Sequence, residues 1–224
     1  FGVICKTTND GDPIVLYDSI ADRCIISQFT ASSPYSECIA VSATPDPTGA
    51  GYRYAFQLST TIFYDYPHAG VWPDGYYFNF NRFNGNNFAG DSAVVFDRSK
   101  MLIGAAATMQ EFVIPRNQGY ASLLPSDLDG YNLPPAGSTN YWLGMAALTS
   151  LGFWEFHVDW VTPANSTFGS GTNHTPNHTI TVASFTQLCP TTRNCVPQPG
   201  TAIGVDGIGD RLIEGRTSLL GQRD

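Results

Sequence analysis

Between Gly11 and Phe29 the chain reads GDPIVLYDSIADRCIISQF, two apolar runs on either side of a polar corner. Ile14, Val15 and Leu16 are β-formers, Asp18 to Asp22 supply the corner, and Arg23 to Phe29 opens the second run. This is the pattern of a β-hairpin with carboxylates at both mouths: Asp10 and Asp12 precede it, and Asp18 and Asp22 sit in its bend. The segment GDSAVVFDRSKMLIG, Gly90 to Gly104, echoes it with a Gly-Asp start, an apolar strand, an aromatic-Asp pair and an Arg-containing turn. VDGIGDRLI, Val205 to Ile213, is a fainter echo. The hairpin is therefore read as a repeated unit.

Further strands follow at short intervals. Cys38 to Ala43 and Tyr52 to Leu58 read as a third and a fourth strand, separated by the turn cluster TPDPTG. Four short antiparallel strands in this span match one propeller blade, about 40–45 residues. The 79 residues from Asp12 to Asp91 and the 115 from Asp91 to Asp206 approximate two and three such blades. YYFNFNRF, ending at Phe83, alternates aromatic with polar as a half-buried strand does. Phe112 to Pro115, Asn140 to Ala147, Gly152 to Val161 and Thr179 to Phe185 add strands, and Tyr120 to Ser138 reads as a long irregular loop. No ten-residue segment combines an apolar stripe with helix caps. The expectation is an all-β fold of β-propeller-like repeats forming a partial propeller. It places one domain over residues 1–216, as a piece of a larger one, and an irregular tail over 217–224.

Charged residues make up only 13% of the chain, and 19 acidic against 11 basic residues give a net charge of -8. That balance argues against nucleic acid or an anionic membrane as partner, and no apolar run is long enough to span a bilayer. Phe1 is read either as a mature terminus or as the start of a fragment of a longer protein. Of the 5 cysteines, Cys189 and Cys195 in CPTTRNC are expected to close a local disulfide. Cys5 is paired with Cys38, leaving Cys24 as a small hydrophobe in its strand. Three sequons, at Asn165, Asn173 and Asn177, fall close together and predict an exposed, glycosylated loop from Thr162 to His178. Cysteine spacing and sequons together give an extracellular or cell-surface location.

The segments GDPIVLYDSIADRCIISQF, ECIAVSATPDPTGAGYRYAF, DYPHAGVWPDGYYFNFNRF, FHVDW and CVPQPGT, with GDRL near the end, resemble a family of large secreted microbial proteins predicted as β-propellers. The resemblance is collinear over most of residues 5–213. It implies a propeller fold and secretion, and it brings no assigned catalytic residues. This chain departs from the family at Cys24, where a Trp is usual, and after GDRL, where the family continues with more strands.

The chemistry-bearing residues are turn carboxylates and aromatic rings. Trp72-Pro73-Asp74-Gly75-Tyr76-Tyr77 sets a ring platform beside a carboxylate, the arrangement that grips a sugar face, or else forms a rigid turn with a packed Trp. Glu155, His157 and Asp159 alternate along one strand and share a face. Trp72, Asp74, Tyr76, Glu155, His157 and Asp159 are thus the ligand-binding candidates. No cysteine or histidine spacing suits zinc, and the oxygen-rich turns leave calcium as the only weak cofactor candidate. The expected function is an extracellular structural or recognition scaffold, glycosylated and part of a larger assembly. Its partners would be the remainder of a longer chain, other copies, or glycans. The alternative is a carbohydrate-active module, a hydrolase or glycan binder that uses turn carboxylates and the aromatic platform. Two close carboxylates beside a solvent-facing Trp72 would favour the enzyme; a buried Trp72 and turn-bonded aspartates would favour the scaffold.

Overall fold

The computed structural model describes residues 3–8, 10–130 and 132–212. A one-turn helix α1 (Val3–Thr7) precedes a meander of β1 (Ile14–Asp18), β2 (Arg23–Phe29), β3 (Tyr35–Ser42) and β4 (Gly51–Ser59), hydrogen-bonded in that order. A second meander follows: β5 (Phe63–Trp72), β6 (Gly75–Asn84), β7 (Asn87–Phe96), a short helix α2 (Arg98–Met101) and β8 (Met109–Pro115). The third sheet contains β9 (Leu124–Pro125), β10 (Asn140–Ala147), β11 (Ser150–His157) and β12 (Thr167–Phe168). β13 (His178–Thr181) also pairs with β11. A two-stranded ribbon, β14 (Asn194–Val196) with β15 (Val205–Asp206), ends the described chain.

The opening hairpin forms as its pattern dictates, with Asp18 opposite Arg23 and Val15 opposite Ile26. Period-two alternation turns Ile25, Ser27 and Phe29 inward on β2. They meet Glu37, Ile39 and Val41 of β3 in register. This inner face packs on Val71, Tyr76, Phe78, Phe80, Val94 and Phe96 of the second sheet. The reverse face of the second sheet carries Trp72, Tyr77, Val95 and Ile114 against Trp142, Trp154, Phe156 and Phe168 of the third. The second sheet is therefore the middle of three layers. Gly75 to Asn81 of β6 are consequently all buried, not half-buried as alternation alone suggests. Asn79 and Asn81 face the second core with Tyr77, while Tyr76, Phe78 and Phe80 face the first.

All-β content is as expected, but the partial propeller is not. The four sheets are separate and unclosed, and the four-strand rhythm breaks after Pro115. Beyond that point the Pro- and Gly-rich stretch contributes only the two-residue β9, because proline removes ladder donors. The third sheet is instead built with β12 and β13 sharing β11. The spacing of the aspartates also fails as a repeat. Asp91 is buried within β7, Asp12 precedes β1 with a positive φ of 44°, and Asp206 lies in the terminal ribbon. The Gly90 echo departs as well: Asp97 caps the amide of Lys100 and starts α2, where the first hairpin turns straight into a strand. The expected tail, 217–224, lies outside the described residues.

Two disulfides are present, Cys5–Cys38 and Cys189–Cys195. The first fastens α1 to the outer face of β3. Cys24 is free and half-buried on that same outer face, opposite Tyr17.

The first two layers are tied by a buried ion pair. The Arg98 guanidinium donates from Nε to Asp18 Oδ2 at 2.6 Å and from Nη2 to Asp18 Oδ1 at 3.0 Å. Tyr76 donates to the same carboxylate at 2.9 Å, and the Ile20 and Ala21 amides complete its shell. The pair is thus fully hydrogen-bonded, the condition under which a buried ion pair is tolerated. Glu37 has no such shell. It lies in the first core between Phe29 and Phe56, and neither carboxylate oxygen has a hydrogen-bond partner. Burial pushes its pKa up to about 8; the nearby Ser27 hydroxyl offsets part of the rise without reaching hydrogen-bond geometry.

Candidate functional site

The β5–β6 corner is a two-residue turn, Pro73-Asp74, that closes Trp72 against Gly75. Proline at the first corner position fixes φ, and aspartate at the second tolerates the bend. The indole of Trp72 turns inward and is 1% exposed. Its Nε1 donates to the Ser138 carbonyl at 3.1 Å, holding the Pro-rich loop against the corner. Between that loop and the end of β11 opens a cleft of about 430 Å³, lined by Trp72, Pro73, Asp74, Leu133 to Ser138, His157 and Val158.

Three of the six sequence candidates therefore meet: Trp72, Asp74 and His157. Asp74 Oδ1 accepts from the Tyr77 hydroxyl at 2.9 Å, and its carbonyl accepts from Trp160 Nε1 at 2.8 Å. Burial raises the Asp74 pKa, opposed by the Tyr77 hydrogen bond and by the nearby His157 and Arg98 charges. The other three candidates lie elsewhere. Tyr76 points to the opposite face of β6, where it is spent on Asp18. Glu155 stands 4.0 Å from His178 on the outer face of the third sheet. Asp159 caps its own turn, accepting from the Val161 and Thr162 amides and from Asn165 Nδ2, which hold its pKa down. Asp159 drops out because the chain leaves the strand after His157, whereas Glu155 shares the exposed face of β11 with His157 but sits further along it, beside His178.

Three other turn carboxylates follow the same rule. Asp46 binds Thr48, Asp97 caps α2, and Asp206 accepts from the Ile208 amide. Calcium would need several such oxygens converging. Among the described residues no group of three or more His, Cys, Asp or Glu is placed to hold a metal, and no helix is long and apolar enough to cross a membrane.

The sequon segment is more structured than a loop. It contains a 3₁₀ turn (Pro163–Asn165), β12 and a tight turn bridging Ser170 and Thr175. Asn173 is exposed at that turn and Asn165 is exposed beside Asp159. Asn177 is half-buried, and its side-chain oxygen accepts from the Glu155 amide at 2.9 Å.

Sequence reasoning missed the wall formed by Leu133 to Ser138, which reads only as irregular chain, and the role of Trp160 in holding Asp74. Only the indole's need for a buried acceptor signals that Trp72 binds a distant carbonyl.

Fold and cleft together define a layered all-β protein of stacked antiparallel sheets with lateral clefts at its strand ends. No family model matches the chain, and no similarity to a curated protein or a solved structure is found. The resemblance to β-propeller proteins is corrected, since the four sheets do not close into a ring around a channel.

Proposed function

We propose that this chain is a non-catalytic recognition scaffold that works in an oxidising setting such as the cell exterior and carries glycans on its sequon segment. One observation carries the reading: the aromatic platform expected beside Asp74 is absent. Trp72 is sealed in the second core and Tyr76 faces the first, so neither ring lies open beside the carboxylate. The turn aspartates spend their oxygens on backbone amides, which supports a structural role for them. Two disulfides in a chain of this size fit an oxidising compartment. The low charge leaves a neutral polar surface, suited to contact without electrostatic steering.

The test is an assay of purified protein against chromogenic glycosides and soluble polysaccharides at pH 4 to 8, beside Asp74→Asn and His157→Ala. The expected result is no turnover above buffer for any of the three proteins. Hydrolysis by the wild-type chain that either substitution abolishes would overturn the non-catalytic reading.

A further inference from the structure

A second cleft, of about 370 Å³, opens at the other end of β5 and draws on four segments remote in sequence. β5 contributes Asp65 and Tyr66, and the β6–β7 hairpin contributes Phe83 and Phe88. Ser122 comes from the connection after β8, and Arg193, Asp210 and Arg211 come from the C-terminal segment. Its volume lies in the range of about 300–1,000 Å³ typical of small-ligand sites.

Two features mark it as built rather than accidental. Tyr66 and Ser122, neither of them glycine, both sit in the left-handed region, with φ of 55° and 53°. For Tyr66 this is doubly unfavourable, because Pro67 follows it and disfavours helical conformations for the preceding residue. Such strain concentrates at ligand sites. It persists here because the surroundings hold it. Asp65 Oδ1 accepts from the Tyr66 amide at 2.8 Å, the Arg211 guanidinium lies 5.0 Å over the Tyr66 ring, and the ladder skips from Asp65 to His68. Opposite, Ser122 is clamped by Asn81, whose Oδ1 accepts from its amide at 2.8 Å while Nδ2 donates to its hydroxyl at 2.9 Å.

Both guanidinium groups of the cleft are already paired. Arg193 pairs with Asp206 at 3.2 Å and Asp210 at 3.6 Å, and Arg211 donates to Asp210 at 2.8 Å. An anionic ligand would find its counter-charges already engaged. A ligand rich in hydroxyls can instead donate to the carboxylates and accept from the guanidinium groups. The half-buried rings of Phe83 and Phe88, edge to face at 5.9 Å, add an apolar surface for C–H faces. We propose that this cleft is a binding site for an uncharged saccharide unit, stacked on Phe83 and Phe88 and hydrogen-bonded by Asp65 and the Arg211–Asp210 pair. The proposal shares the recognition reading of the chain but does not depend on the Trp72 cleft.

The experiment is calorimetric titration of the full chain with cello-, xylo-, manno-, malto- and chito-tetraose, with a sulfated tetrasaccharide as the charged comparator. At least one neutral ligand is expected to bind. Phe88→Ala and Asp65→Asn should each weaken it by about tenfold or more, while Val15→Ser, on the remote outer face, leaves it unchanged. Phe88 is half-exposed near a hairpin tip, and Asp65→Asn keeps side-chain shape, so one of the two variants remains informative if the other loses its thermal transition. Three results would overturn the proposal: no neutral ligand binds, the sulfated one is preferred, or both substitutions leave affinity unchanged. A failed titration with no hydrolysis removes the saccharide site and leaves the scaffold reading intact, whereas hydrolysis removes that reading instead.

Discussion

Glu37→Gln is expected to stabilise the protein, and to do so only where the pH is high enough to matter. Glu37 lies in the first core between Phe29 and Phe56 with neither oxygen hydrogen-bonded, and burial raises its pKa from 4.5 to about 8. At neutral pH the folded chain must therefore hold a proton that the unfolded chain has released. At about 1.4 kcal/mol per pH unit, keeping Glu37 protonated at pH 7 costs on the order of 3 kcal/mol. The sign follows from proton counts. Between the unfolded and folded pKa values the native state binds more protons than the unfolded one, so stability is full below about pH 4.5 and falls as pH rises toward 8. Gln keeps the shape and never needs the proton. The expected gain is near zero at pH 4 and about 3 kcal/mol at pH 7, or roughly 6–12 °C in Tm at about 2–4 °C per kcal/mol. Thermal melts of both proteins at pH 4, 6 and 8 read it directly. A gain that does not change with pH would refute the reasoning, as would a loss at pH 8, which would mean that the carboxylate is ionised and paired in the fold.

Two further substitutions test the contacts between layers. Arg98→Ala leaves the Asp18 carboxylate buried without its bidentate partner and is expected to cost about 3–5 kcal/mol in urea unfolding; a cost below about 1 kcal/mol would mean that the first two layers are not joined there. Gly70→Ala places a Cβ about 2.4 Å from the Ser126 carbonyl oxygen, backbone that cannot rotate away. It should cost about 1–3 kcal/mol by prising apart the second and third layers, and a neutral melt would show that they do not pack at that point.

The sequence alone determined several strands and their immediate partners, though not β5, β9 or β12. The hairpin from Ile14 to Phe29, the strands β3 and β4 and the pairing of β10 with β11 follow from alternation and turn chemistry. Each joins strands that follow one another directly in the chain through a short connection, the range over which backbone pairing is encoded. Only tertiary structure decided how the sheets meet. β6 reads as half-buried until a third layer covers its second face, and that layer is what seals Trp72 and sends Tyr76 to Asp18. The same strand pattern was compatible with repeating blades, because local alternation fixes which side chains share a face but not what covers that face. The cleft at Tyr66 lay furthest from view. Asp65, Phe88, Ser122 and Arg211 are brought together only by the stacking of sheets and the return of the C-terminal segment, and no local pattern specifies contacts at such separation.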